Sequence, residues 1–242
     1  MKYILHHMKI FTLFFLLLIS FSYTSQVTFA KKPVKDSLYR NQAYIFLNRT
    51  NTFRTLIPNE DFIPGNLGER VNEVSLNTYS FGIGLQGHLL KNLIWDGGMA
   101  YIQNGEQYNF ESTTSDSTFS YQTYYKYISM PLKLNFTFGK SVRIFGGAGI
   151  LPQLFLNYKQ KQQWETVLGN RESNVIKTKD GFNTFITSAV FNLGISLHSK
   201  NGYGIFINPE YRFQLQNGLG KTSYFKHKSF GFGFSAGITK EL

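Results

Sequence analysis

The chain of 242 residues contains no cysteine, which removes disulfide staples, thiolate metal sites and a cysteine nucleophile together. Charge is scarce: Asp, Glu, Lys and Arg make up 16% of the residues. Past the first thirty residues there is no long apolar run, so nothing supplies the ~20 consecutive apolar residues of a membrane-spanning helix. Mean hydropathy is slightly negative. What is abundant is aromatic or small, with 24 Phe and 15 Tyr beside 22 Gly. That mixture is unusual for a water-soluble enzyme. It suits a membrane barrel, in which apolar and polar residues alternate and the average cancels. The formal net charge of +11 is spread through loops and turns without the dense basic stripe of a nucleic-acid binder, so no nucleic-acid partner is expected.

Residues 1–30 read as an export signal. Lys2 and Lys9 stand without an acid before an apolar stretch, 10–21, and Thr28-Phe29-Ala30 offers small residues at the positions a signal peptidase reads. That stretch, about 12 residues, falls within the ~7–15 of a secretory signal. Cleavage is expected after Ala30, with Ser25 the alternative, and Met8 is an alternative start. Residues 31–41 form a polar periplasmic lead-in, and 42–242 the barrel itself.

From there the chain shows period-two patterning, the mark of strands with two unlike faces. In 79–89, Tyr79, Phe81, Ile83, Leu85 and Leu89 oppose Ser80, Gly82, Gly84, Gln86 and His88. The stretch 128–138 sets Ile128, Met130, Leu132, Leu134, Phe136 and Phe138 against Ser129, Pro131, Lys133, Asn135 and Thr137. The same alternation runs through 203–215 and 230–238, and through 185–198 with one slip near Val190; strands at 42–56, 93–106 and 142–157 are less regular. These eight stretches are long enough for tilted transmembrane strands, which need ~9–11 residues. Tight turns near 90–92, 139–141 and 199–202 alternate with long polar connections at 57–73, 107–118, 158–182 and 216–229. Short and long ends in alternation, with an even strand count, predict an eight-stranded antiparallel up-and-down transmembrane β-barrel with both termini in the periplasm. A water-soluble barrel would need the bulky face inside, and a lumen of eight strands is too narrow for it.

Two motifs are set aside on context. Gly82 to Gly87 spells a dinucleotide fingerprint, but the alternation runs straight through it where a helix is required. Gly233 to Gly237 spells a nucleophile elbow, but no histidine follows in the few remaining residues. His88 and His198 share inward parity near the short turns, without further ligands at useful spacing. No catalytic, metal or cofactor site is expected. The candidate site is a luminal ionic network. Asp96, Lys133, Glu210 and Arg212 all have inward parity, and Asp96 and Lys133 fall at similar depth on neighbouring strands. Charges in so narrow a lumen must pair to offset desolvation. In the last long loop, Lys221, Lys226 and Lys228 are candidates for lipopolysaccharide phosphates. Tyr101, Tyr121, Tyr124, Tyr125, Tyr127, Tyr158, Tyr211 and Phe213 are expected to form an aromatic girdle at the long-loop side, with Trp95, Phe138 and Tyr203 at the other.

Short motifs carry a family resemblance. Tyr127 to Lys133 (Tyr-Ile-Ser-Met-Pro-Leu-Lys), Gly146 to Gly149, Asn208 to Arg212 and the glycine-aromatic stretch from Phe230 to Ile238 resemble the PorT-like outer-membrane β-barrel group of the Bacteroidota. The final residue departs from the aromatic ending common in such barrels, although Leu242 keeps the parity of Phe234 and Ile238. The resemblance implies the fold and an outer-membrane location, and suggests an accessory part in secretion; with no set of Ser, His and acids gathered in the loops, the role expected is non-enzymatic, in envelope structure, surface interaction or as that accessory. The partners expected of such a barrel are outer-membrane lipids and, during insertion, the barrel assembly machinery. An outer-membrane enzyme with its site in the loops and a narrow channel are the alternatives.

Overall fold

The computed structural model describes residues 41–59, 71–111, 118–165, 169–220 and 222–242. The expected signal and nearly all of the lead-in therefore lie outside the described residues. Ten strands are defined: β1 (Gln42–Pro58), β2 (Glu73–Leu90), β3 (Leu93–Glu111), β4 (Thr118–Ser129), β5 (Leu132–Gly139), β6 (Val142–Glu165), β7 (Arg171–Thr178), β8 (Phe185–His198), β9 (Tyr203–Gln214) and β10 (Phe225–Glu241). Each pairs antiparallel with its neighbours, and β1 pairs with both β2 and β10, which closes the sheet. The first and last strands are joined along their whole length, from Gln42 opposite Glu241 to Pro58 opposite Phe225. Closure leaves no unpaired edge in the ring.

Ten strands make a ring of eight. β4 and β5 are halves of one ring strand, since both lie between β3 and β6. They are interrupted at Met130-Pro131. Proline has no N–H for the ladder, and here its carbonyl instead accepts from Gly98 N at 3.1 Å, while Met130 N reaches Pro152 O at 2.9 Å. Met130, expected to face lipid, is buried. The other additional strand, β7, pairs only with β6 and extends the barrel wall beyond the ring as a hairpin.

That hairpin corrects the expected loop at 158–182, because β6 continues to Glu165 and β7 returns to Thr178. Likewise β3 continues to Glu111 and β4 starts at Thr118, so every described residue of the expected loop at 107–118 is strand. The β6–β7 extension is mostly polar on both faces, and the β3–β4 extension sets Tyr108, Phe110, Phe119 and Tyr121 on one face against polar residues on the other, so neither shows the apolar outward face that marks the ring. They are held by backbone ladder bonds and by cross-strand pairs such as the stacked rings of Tyr108 and Tyr121, 5.1 Å apart. Two of the expected tight turns contain a left-handed glycine, Gly139 (φ 105°) and Gly202 (φ 76°), a conformation that only glycine adopts without strain.

The two faces of the ring differ as the patterning predicts. Ile83, Phe136, Leu193, Ile207 and Phe234 point outward and are each at least half exposed. Asn48, Thr50, Ser80, Asn135, Asn208 and Ser235 point inward and are buried. A folded chain in water buries its large apolar side chains first. This one exposes them all the way round and buries amides and hydroxyls, which is the arrangement of a barrel whose solvent is lipid. The slip near Val190 is absent from the backbone: β8 alternates without a break, and Ile186 and Val190 are inward positions occupied by apolar residues.

Candidate functional site in the barrel lumen

Inward positions on β3 read, from the short-turn end, Asp96, Gly98, Ala100, Ile102, Asn104 and Glu106. Three layers of the lumen follow from that order.

The first layer is ionic. Asp96 and Lys133 are direct register partners on β3 and β5, and Lys133 Nζ lies 3.1 Å from Asp96 Oδ2. Tyr44, reaching from β1 over the neighbouring β2, donates its hydroxyl to the same carboxylate. Glu210 and Arg212 stand two apart on β9, with Arg212 Nε 3.4 Å from Glu210 Oε1. Asn48 donates to Glu210 at 3.0 Å and to Ser235 at 2.7 Å, and Arg212 donates to Thr50. The four charged residues named from the sequence thus come together in two ion pairs. Polar side chains of β1, which sequence patterning left unassigned, brace both pairs. A cavity of about 60 Å³ remains among these groups, lined in part by Arg143 and His198 toward the short turns. That is room for water but not for a metabolite.

Glycine makes this layer fit. A Cβ on Gly84 would overlap the Tyr44 ring, so the glycine of the supposed nucleotide fingerprint is where the tyrosine lies. Gly84→Ala is expected to displace Tyr44 from Asp96 and to destabilise the barrel by about 1–3 kcal/mol, as overpacking does elsewhere. Urea unfolding of the refolded protein would measure it, and an unchanged midpoint would refute the role given to this glycine.

Ala100, Ile102, Leu151 and Val190 form the second layer, an apolar septum packed against Phe46. The third layer is one that sequence reasoning missed. Arg54 on β1 bridges two carboxylates, with Glu73 at 2.6 Å and Glu106 at 3.3 Å. Tyr125 donates to Glu106 at 3.1 Å, and Tyr121 to Glu73 at 3.0 Å. Tyr125 and Tyr127, expected in the aromatic girdle, are buried here with Phe155 and Ile186. Phe182 lies over this cluster, its ring 4.8 Å from that of Phe155 and 5.3 Å from that of Tyr158. Asn183 ties the segment down by donating to Asn217 O and Leu219 O. A signal for this layer did exist: Glu106 has the parity of Asp96, and Arg54 that of Tyr44.

The remaining candidates lie apart from the lumen's centre. His198 pairs with Ser196 at 3.0 Å near the short turns, and among the described residues no group of three or more His, Asp and Glu converges as a metal site would. Lys226 and Lys228 project outward on β10 above Phe230; Lys221 lies outside the described residues.

A closed antiparallel ring of eight strands, with an apolar exterior and a filled polar lumen, defines a small transmembrane β-barrel of the outer-membrane type. No family model matches the chain, and no curated protein matches it. Among solved structures it is similar to the outer membrane protein OprG of Pseudomonas aeruginosa, at 9% identity and TM-score 0.44, covering 84% of this chain and 96% of that one. It is also similar to the outer membrane protease OmpT of Escherichia coli, at 8% identity and TM-score 0.40, covering 89% and 99%. A third is Ail, the attachment invasion locus protein of Yersinia pestis, at 13% identity and TM-score 0.30, covering 82% and 99%.

Proposed function

We propose that the chain is a closed, non-conducting barrel of the outer membrane that acts through its lipid-facing wall and outer rim, without a transport path and without catalysis. One observation carries this reading: the lumen is occupied over most of its length by interlocked side chains, two ionic layers with an apolar septum between them. An ion crossing it would have to separate Asp96 from Lys133 and Arg54 from Glu106, and would meet Ile102 and Val190 in between. Buried charge pairs are costly to break, and an apolar constriction excludes hydrated ions. The PorT-like motifs favour an accessory part in secretion, with the outer extensions of β3, β4, β6 and β7 as the surface offered to partners. Insertion by the barrel assembly machinery belongs to the same reading.

The leaderless chain refolded in detergent is expected to run faster on a gel before boiling than after it. Reconstituted into planar bilayers in concentrated KCl, it is expected to show no steady conductance steps. Reproducible steps would refute the plugged lumen and favour the narrow channel.

A further inference from the structure

Outward positions of neighbouring strands line up in rows across the sheet. One row runs Ala236, Leu47, Phe81, Tyr101, Ile128 and Leu154, each the register partner of the next. One outward position farther from the short turns, β1, β3, β4 and β6 turn polar, while β10 keeps Phe234 beside Arg49. Arg49 faces Tyr79, and Gln103 faces Lys126, which in turn faces Asn157. The upper edge of the apolar belt falls between these rows on β1 to β6.

Two features coincide at this edge. Below it, Ala236 is the small member of a bulky row, and the wall sinks into an apolar depression of about 750 Å³ bounded by Leu47, Phe81, Ile83, Met99, Tyr101 and Ile128. Above it stands a group of cations. Lys159 faces Tyr124 on one side and Lys177 on the other. Lys161 is the next outward position on β6, its ammonium 5.9 Å from the centre of the Tyr124 ring. Among the described residues, none of Lys126, Lys159, Lys161 and Lys177 forms an ion pair with a carboxylate. Like charges directly opposite on a sheet are destabilising. Lys159, which lies beyond the apolar belt, is held below the ordinary lysine range by desolvation and then by the charges of Lys161, Lys126 and Lys177. An anion set among these ammonium groups relieves that repulsion.

We infer that this part of the wall binds a phosphorylated, acylated glycolipid of the leaflet on the long-loop side. One acyl chain lies in the depression, and a headgroup phosphate lies against Lys126, Lys159 and Lys161. Arg49, on β1, holds the far edge of the headgroup. It is three strands from Lys126, roughly 14 Å at the usual interstrand spacing, a width that fits a disaccharide headgroup better than the single phosphodiester of a phospholipid. Lys226 and Lys228 are weaker candidates for the same ligand, because Phe230, Phe232 and Phe234 fill the outward positions below them. The inference rests on the membrane reading above.

The test uses the refolded chain in detergent, with native mass spectrometry reading lipid bound per barrel. Probes are purified lipid A, its dephosphorylated form, phosphatidylglycerol and inorganic phosphate. One lipid A per barrel is expected to persist, and to bind at least tenfold more weakly to K126Q/K159Q/K161Q and to A236F, with K226Q/K228Q unchanged. Dephosphorylated lipid A, phosphatidylglycerol and phosphate are expected to bind at least tenfold more weakly than lipid A. Equal binding by any of these three probes, or by the triple lysine variant, would overturn the inference. So would binding that is lost in K226Q/K228Q and kept in the triple variant. Gel mobility before and after boiling is recorded for every sample. A wild-type barrel that shifts normally but takes up no lipid A refutes this site alone, whereas failure to form the heat-sensitive species at all refutes the membrane barrel.

Discussion

Lys133→Met should destabilise the barrel by about 3–5 kcal/mol, the usual consequence of leaving one member of a buried ion pair alone. The side chains of Lys133 and Asp96 are 13% and 10% exposed, so little water is available to replace the lost ammonium. Tyr44 donates one hydrogen bond to the orphaned carboxylate, which supports a charge but cannot neutralise it. The expectation has an internal control. Asp96→Asn with Lys133→Met removes both charges, and replacing a whole buried pair is often close to neutral. The double variant should therefore recover most of the stability lost in the single one. Urea unfolding in detergent, followed by the fluorescence of Trp95 beside Asp96, would measure all three proteins. Single and double variants both within about 0.5 kcal/mol of the parent, the range of an ordinary surface substitution, would mean that the pair is hydrated and that the lumen is not sealed at this level.

How much of this was legible in the chain depends on which solvent judged each position. Outside the barrel, lipid accepts almost any apolar side chain and rejects charge, so Phe232, Phe234, Ile205 and Ile207 alternate cleanly and the ring strands can be counted. The depth of Asp96 and Lys133 was legible for a related reason: each can be counted along its strand from a tight turn, Asp96 from the one at 90–92 and Lys133 from the one at Gly139. Inside the barrel the rule is looser. A luminal side chain needs only a partner, whether a hydrogen bond for its polar tip or another apolar surface. Ile186, Val190, Tyr125 and Tyr127 meet that condition by packing on one another or on the septum. Their chemistry did not distinguish them from lipid-facing neighbours, and two of them were consequently placed in the girdle. β1 was the hardest strand to read because both of its faces are mixed, with Tyr44 and Phe46 inside and Arg49 and Asn51 outside. The polar extensions of β6 and β7 were illegible for the simplest reason. Water lies on both sides of them, so no pattern is imposed.

That difference between solvents yields the sharpest test of the fold. Leu193 is 61% exposed near the middle of β8, with Phe191 and Ile195 as its outward neighbours along the strand. On a water-soluble protein, arginine at so exposed a position would change stability by no more than about 0.5 kcal/mol, and would improve solubility. On a barrel surrounded by lipid, Leu193→Arg places a guanidinium near the bilayer midplane and should cost about 2–4 kcal/mol. The cost should depend on depth. Leu197→Arg, four residues nearer the short turn on the same face, can extend its side chain into the headgroup region and should cost no more than about 1 kcal/mol. Unfolding measured in lipid vesicles for the two variants separates the readings, because both positions are exposed and both replacements are identical. Equal and negligible effects would mean that water, and not lipid, covers the aromatic exterior. A large effect at Leu193 that fades toward Leu197 would locate the membrane on the molecule and fix which band of side chains meets its centre.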